Sequence, residues 1–334
     1  MKNKHHITRR SFGTGLAGLA GVATFAGVNA VSNMALAGNE LQILAPSLMV
    51  PIEVTSTLKS QGLNSDKWMC SVSGEFAKKF KLGTQIRVRR NGSEYAVYTV
   101  GDVREDDPAN LIRMGKIARE RLGTSDSFEG RLMPTLALKP MTDDEAETYG
   151  EFVERVYDTK EHQGLVILAP HGGGIEFNTD LQARWVADAL PDADLSTWCC
   201  SGWHNNGSDY TRWHVTSTKI HPASFPGLAS IAERGFAYAV SFHGQKADGV
   251  LIGGGGPIEL KETLRDEIKA VVGNHPVTIA EPGDHNSGMS AENVVNWMTA
   301  GGSGGIQLEQ SPEIRDGYWI DVAEAVAKVY ESLI

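Results

Sequence analysis

Cysteine is scarce, with three in 334 residues, too few for the disulfide framework that small secreted scaffolds rely on. Cys199 and Cys200 are neighbours and badly placed to pair with each other, so the bridge to expect, if there is one, joins Cys70 to either of them. Basic charge is outweighed: 31 Lys+Arg stand against 41 Asp+Glu, a net charge of -10. The short run Arg87 to Arg90 is too little for the Lys/Arg stripe that phosphate binding needs, which excludes nucleic acid as a partner. Histidine is missing from residues 38–161, and eight of the ten lie at or after His162. Imidazole chemistry therefore belongs to the second part of the chain. No fixed-period repeat is present, and the 37 glycines are too scattered for a collagen-like or low-complexity chain. What remains is an ordinary globular composition, 41% hydrophobic, with a length that suggests two domains.

Acids are also absent before Glu40, where Lys2, Lys4, Arg9 and Arg10 precede a Gly/Ala-rich apolar stretch over 12–31. Ala35-Leu36-Ala37 then offers a small-x-small cleavage site before Gly38, the pattern of a removable signal peptide. Thr8-Arg9-Arg10-Ser11-Phe12 has the form of the twin-arginine type. A membrane anchor is the competing reading, because the stretch approaches the roughly 20 residues a span requires. Its glycines, Ser and Asn make it a weak span. The expectation is a twin-arginine signal peptide over 1–37, export to the periplasm or the exterior, and no stable membrane association after cleavage.

Two modules follow. Residues 38–158 read as a small β-barrel-like module: Thr84 to Arg90 and Glu94 to Val100 are strand-like, and Asn91-Gly92 between them is a hairpin signal. Residues 159–334 read as a doubly wound α/β domain. Leu165 to Ala169 is a continuous apolar run suited to a strand covered on both faces, and Leu181 to Leu190 carries apolar residues at helical spacing. Phe236 to Phe242, Leu260 to Val272 and Ile306 to Leu308 continue the alternation of strand and helix. Ligands in such sheets bind beyond the carboxyl ends of the strands.

Candidate chemistry sits at those ends. Pro170-His171-Gly172-Gly173-Gly174-Ile175-Glu176 brings a His and a Glu together across three glycines, with neither the Lys of a P-loop nor a Rossmann spacing. An imidazole and a carboxylate are two of the three protein ligands of an open zinc site, and His243 in Ser241-Phe242-His243-Gly244 supplies the third from the next strand end. Glu309 follows Ile306 and Leu308 on a buried strand, where a carboxylate needs a partner: a metal, its water, or Arg315 in a structural ion pair. Glu281 to Asn286 forms a further acid/His cluster at a strand end, read as pocket rim.

These segments, with Trp213 to Thr218 and Gly305 to Ser311, resemble the poly-γ-glutamate hydrolase family, zinc peptidases related to the carboxypeptidase fold. The resemblance covers roughly 160–334 and stops short of the first module. It implies a mixed-sheet, zinc-peptidase-like domain, His171, Glu176 and His243 as Zn2+ ligands, Glu309 as the acid that activates water, and His214 and Thr216 near the pocket. Glu281 and His285 join them as candidate pocket residues. The implied substrate is a γ-glutamyl peptide or polymer, for which Arg184, Arg212, Lys219 and Lys246 are the basic side chains available to hold a carboxylate. A non-catalytic exported binding protein with the same pocket is the reading from another class, and it would have no need of Glu309.

Replacing Arg9 and Arg10 together by Lys should leave precursor in the cytoplasm, as judged by fractionation and immunoblotting. Unimpaired export of that variant would point to the general secretory route instead.

Overall fold

The computed structural model describes residues 48–54, 63–92, 94–133, 136–137, 141–159 and 162–334. The leader expected over 1–37 lies outside the described residues. Among those described, no helix is long and apolar enough to cross a membrane.

Six strands close into a barrel: β1 (Leu48–Val54), β2 (Met69–Ser73), β3 (Gln85–Arg89), β4 (Tyr95–Arg104), β5 (Ile112–Met114) and β6 (Phe128–Met133), paired in the order β1-β5-β2-β4-β3-β6. The pair flanking Asn91-Gly92 is antiparallel, with Arg89 opposite Tyr95. Two short helices, α1 (Gly74–Ala77) and α2 (Lys116–Glu120), accompany the strands. Alternation along β4 divides its side chains. Ala96, Tyr98 and Val100 fill the barrel with Val72, Ile86, Val88 and Ile112, while Tyr95 and Val97 point out of it.

The second sheet has seven strands: β7 (Phe152–Asp158), β8 (Leu165–Gly173), β9 (Leu195–Gly202), β10 (Tyr238–Gly244), β11 (Val250–Gly253), β12 (Val277–Ile279) and β13 (Ile306–Gln310). Their order is β12-β11-β13-β10-β8-β9-β7. The strands β13, β10, β8 and β9 run parallel at the centre, whereas β7 and β11 are antiparallel to their neighbours β9 and β13. The sheet is thus mixed. Its helices are α3 (Asp143–Tyr149), α4 (Thr179–Ala189), α5 (Asp209–Trp213), α6 (Pro226–Ala229), α7 (Ile258–Val271), α8 (Val294–Trp297), α9 (Pro312–Gly317) and α10 (Trp319–Glu331).

The apolar runs of the central strands serve two cores. Leu165, Ile167, Ala169, Val240, Phe242, Ile306 and Leu308 pack beneath α4, α7 and α10 on one face. Val166, Leu168 and Ala239 face the other way, against Phe225, Leu228, Val294 and Val295, and against Tyr95 and Val97 of the barrel. The barrel is therefore part of the cover of the second face. His243 and Glu309 alternate with Phe242 and Leu308, which puts them on the barrel side of the sheet.

Two expectations need correction. The boundary expected after residue 158 falls too late, because β7 pairs with β9 along its whole length, from Phe152 opposite Gly202 to Asp158 opposite Ser196. An edge strand with one wet face mixes charges into its sequence, so Phe152 to Asp158 lacks the continuous apolar run of the central strands. The cysteines make no bridge. All three are free and buried, Cys70 inside the barrel and Cys199 and Cys200 on opposite faces of β9.

The barrel and the sheet are joined by buried charge. The Arg87 guanidinium meets the Glu151 carboxylate through two hydrogen bonds of 2.8 and 3.0 Å, with side-chain exposures of 2% and 6%, and lies over the rings of Tyr95 and Trp213. In return Arg212 donates to the Tyr95 carbonyl at 2.8 Å. Removing one member of a buried pair strands the other without compensation, which costs about 3–5 kcal/mol. Arg87→Met should lower unfolding stability in urea by an amount of that order; a loss below about 1 kcal/mol would show that Glu151 finds another partner.

Candidate metal centre

The glycines after Pro170 give the end of β8 its shape. Pairing with β9 shifts register between Ala169 and Gly172, and Gly173 adopts φ +69°, where a Cβ would come within 2.8 Å of the Trp203 ring. Asp180 holds the turn, accepting the Gly173 amide at 3.2 Å and the Ser201 hydroxyl at 2.8 Å. The chain then closes on itself, the Glu176 amide donating to the His171 carbonyl at 2.8 Å. This returns the Glu176 carboxylate to the imidazole five residues before it.

Three donor atoms meet there. His171 Nδ1 is 3.1 Å from Glu176 Oε2 and 3.2 Å from His243 Nδ1, and His243 Nδ1 is 3.5 Å from the same carboxylate oxygen. Four ligands placed tetrahedrally at about 2.0–2.1 Å from zinc are separated by about 3.3 Å, so the triangle has the size of one face of that tetrahedron. The three residues are 3%, 7% and 2% exposed. His171 Nε2 donates to the Val215 carbonyl at 2.8 Å, which in the neutral ring leaves the Nδ1 lone pair turned toward the other donors. Glu176 Oε2 also accepts the Gly244 amide at 2.8 Å. The residues present fit a divalent metal.

His214 is a further neighbour. One of its ring nitrogens lies within 4.8 Å of donor atoms on His171 and Glu176. Its ring is held between those of His171 at 4.2 Å and Tyr210 at 4.3 Å, and its Nδ1 is buried without a hydrogen-bond partner.

Burial opposes charge on every member of this group, and neighbours decide the outcome. Burial pushes the Glu176 carboxyl upward, but His171 and His243 outweigh it and hold the group well below the usual carboxylate range. His171 is pulled down by burial and lifted above its ordinary value by the Glu176 charge and hydrogen bond. Burial lowers His243 despite Glu176, and lowers His214 strongly, with the nearby His171 adding to the effect. Charge on Glu176 and on His171 thus reinforce each other across the 3.1 Å contact.

Glu309 sits beside His243 across the β10–β13 pairing and is 6% exposed. Burial first, and the Glu176 charge second, raise its carboxyl well above the ordinary range. Gln307, two residues earlier on the same face, donates through Nε2 to Glu309 Oε1 at 2.8 Å, while its Oε1 accepts from Asn293 at 2.8 Å. Arg315, the expected alternative partner, donates instead to the carbonyls of Gln310 and Phe177 and packs against Gly244.

The other candidates are scattered. Thr216 is exposed just beyond Val215, and Glu281 and His285 are exposed on the loop after β12. That loop reaches the centre through its backbone, the Asn286 carbonyl accepting from Gln307 Nε2 at 3.2 Å. Sequence reasoning missed Gln307, Val215 and Tyr210. Only Gln307 had a signal, its i, i+2 relation to Glu309 on a strand.

A mixed α/β sheet with its acid/His chemistry at parallel strand ends is the general form of an enzyme site. The family model of poly-gamma-glutamate hydrolase matches residues 141–328, and the chain belongs to that family of hydrolases. The matched span begins after the barrel. The UPF0714 protein YmaC of Bacillus subtilis (strain 168) is 27% identical over 203 residues, 55% of this chain and 77% of its own. Two solved structures are similar: a bacteriophage poly-gamma-glutamate hydrolase (22% identity, TM-score 0.44, covering 54% of this chain and 89% of its own) and zinc-free YndL (19%, 0.42, 54% and 90%).

The raised Glu309 carboxyl carries a pH signature for the metal-free protein. The folded state holds this proton at pH values where the unfolded chain, with an ordinary Glu near 4.3, has released it. The stabilisation is complete below about pH 4 and is lost as pH rises through the folded-state pKa. After chelation, Glu309→Gln should therefore unfold at higher urea than the parent chain, by a margin that widens as pH rises above about 4. A margin independent of pH would contradict the assignment.

Proposed function

We propose that this hydrolase is zinc-dependent and cleaves γ-glutamyl amide bonds, in poly-γ-glutamate or a related γ-linked peptide. The observation that carries the reading is the triangle of His171 Nδ1, Glu176 Oε2 and His243 Nδ1, with edges of 3.1–3.5 Å, beside a buried Glu309. His171, Glu176 and His243 would hold the ion, with His214, whose ring nitrogen is within 4.8 Å of donors on His171 and Glu176, as the alternative third ligand. When bound, zinc supplies a Lewis acid that polarises the scissile carbonyl and acidifies water.

The chain's own groups do the rest. The Val215 carbonyl fixes the His171 ring. Gln307 occupies Glu309 Oε1, which leaves Oε2 to take a proton from the attacking water and deliver it to the departing nitrogen, since an amine anion is a poor leaving group. A carboxyl whose pKa is lifted by burial is suited to pass that proton on. Export by the twin-arginine route belongs to the same reading, on the strength of the Arg9-Arg10 leader.

Metal content and turnover test it together. Mass spectrometry of the purified protein should find about one zinc per chain. His171→Ala and His243→Ala should lose it, and His214→Ala should keep it. Retention in His243→Ala with loss in His214→Ala would move the third ligand to His214. Glu309→Gln should keep its zinc while turnover of γ-glutamyl oligomers falls by about 10²- to 10⁴-fold. Near-normal turnover in this variant would remove Glu309 from the reaction, and a folded, zinc-loaded protein that cleaves no γ- or α-linked glutamyl amide would leave the binding-protein reading.

A further inference from the structure

The barrel lies outside the matched family span, yet it forms part of a cavity next to the metal centre. This cavity, about 190 Å³, is bounded by Trp68, Val97 and Thr99 of the barrel and by His214, Thr216 and Lys219 of the α/β domain. It adjoins the centre through two of its lining residues: the His214 ring packs against that of His171, and the Val215 carbonyl holds His171 Nε2. His214 Nδ1, buried and without a partner, lies at this junction.

The walls are held rigidly by one arginine. Arg121, buried in the barrel, lies 4.3 Å from the Trp68 ring and donates to the Lys67 carbonyl at 3.1 Å on the barrel side. On the α/β side it donates to the Thr211 carbonyl at 2.8 Å and the Arg212 carbonyl at 3.3 Å, at the end of α5 that leads into His214. Trp68 and His214 are thereby held in contact, ring centroids 5.3 Å apart, and form one continuous wall of the cavity. A wall anchored from both domains in this way is a built feature of the junction.

Its chemistry selects an occupant. Asp66, which also borders the cavity, is engaged: its Oδ1 accepts the Trp68 amide at 2.8 Å and its charge faces Arg121. Lys219 is different. Its ammonium pairs with Glu292, 3.8 Å away, with the lysine side chain 44% and the glutamate 72% exposed, a pairing worth little. Among the other basic candidates, Arg184 pairs with Asp143 and Asp180, Arg212 donates to the Tyr95 carbonyl, and the exposed Lys246 does not line the cavity. The unspent charge of the cavity is therefore positive, beside an aromatic face. The volume is below the roughly 300 Å³ at which drug-sized sites begin, so it takes one residue and not a segment of polymer.

We infer that this cavity is a substrate subsite built jointly by the barrel and the α/β domain, which takes one carboxylate-bearing residue with its methylenes against Trp68 and its carboxylate on Lys219. The inference rests on the proposed γ-glutamyl hydrolysis. It assigns the barrel the task of selecting substrate next to the reacting bond.

Calorimetric titration of the full, metal-stripped protein with γ-glutamylglutamate reads the subsite without turnover, and steady-state kinetics on γ-glutamyl oligomers, with free or amidated α-carboxylates, read it during turnover. Lys219→Met should weaken binding and raise KM about tenfold for the carboxylate substrates only, leaving kcat and zinc content unchanged. Trp68→Ala should weaken both substrate classes, and Trp68→Phe should restore most of the loss. Unchanged binding and KM in the folded Lys219→Met and Trp68→Phe proteins, and in Trp68→Ala if it folds, would overturn the subsite while leaving the hydrolase reading intact. Binding by the parent chain that Lys219→Met abolishes, with no hydrolysis of any oligomer, would overturn the hydrolase reading and keep the subsite. Absence of both binding and hydrolysis would overturn both.

Discussion

The hydrogen bond from His171 Nε2 to the Val215 carbonyl ties the centre to the rest of the molecule. It selects the tautomer of the first histidine and sets its ring plane, and its acceptor is a backbone atom whose position depends on the segment from α5 to Lys219. That segment is itself held from the barrel, by Arg121 on the carbonyls of Thr211 and Arg212 and by Gln85 on the Lys219 carbonyl at 2.6 Å. A histidine at the end of a sheet strand is thus oriented, two bonds removed, by side chains of a different core.

Charge is distributed around the centre in a way that hydrophobic packing alone would not tolerate. Glu176 and Glu309 are both buried and feel each other, and Arg315, which donates its hydrogen bonds to backbone carbonyls, offsets them only through its field. Two carboxyl groups in so dry a place cannot both ionise cheaply without a cation. The histidines compensate one of them, and Gln307 steadies the other with a neutral hydrogen bond. The raised Glu309 carboxyl, next to a Glu176 that its histidines keep charged, is the electrostatic counterpart of the donor triangle.

Legibility in the sequence followed the range of the interactions. The runs Leu165 to Ala169 and Ile306 to Leu308 announce central strands because burial on both faces leaves no room for polar residues, and the chemistry at their ends could be located by topology alone. The fold class could be read in this way, and His171, Glu176 and His243 could be named, whose donor atoms lie 3.1–3.5 Å apart, as could Glu309, which pairs in register with His243. Val215 could not be found, since a carbonyl carries no residue type. Trp68 and Arg121 could not be found either, because their partners Tyr210 and His214, and Thr211 and Arg212, are distant in sequence and lie across an interface that no local pattern encodes. Phe152 to Asp158 was misallotted for a related reason: an edge strand with one polar face looks the same in a barrel as in an open sheet.

Strand β4 belongs to two cores at once. Its even-numbered residues Ala96, Tyr98 and Val100 close the barrel, while Tyr95 and Val97 cover the sheet and Val97 and Thr99 border the cavity. A one-residue insertion or deletion there would exchange the two sets, sending a tyrosine and valine inward and the barrel's core residues out against the sheet. Length variation among descendants of this gene should therefore be purged from β4 even where the residue types are free to drift, and the spacing between Tyr95 and Val100 should change more slowly than the residues that occupy it.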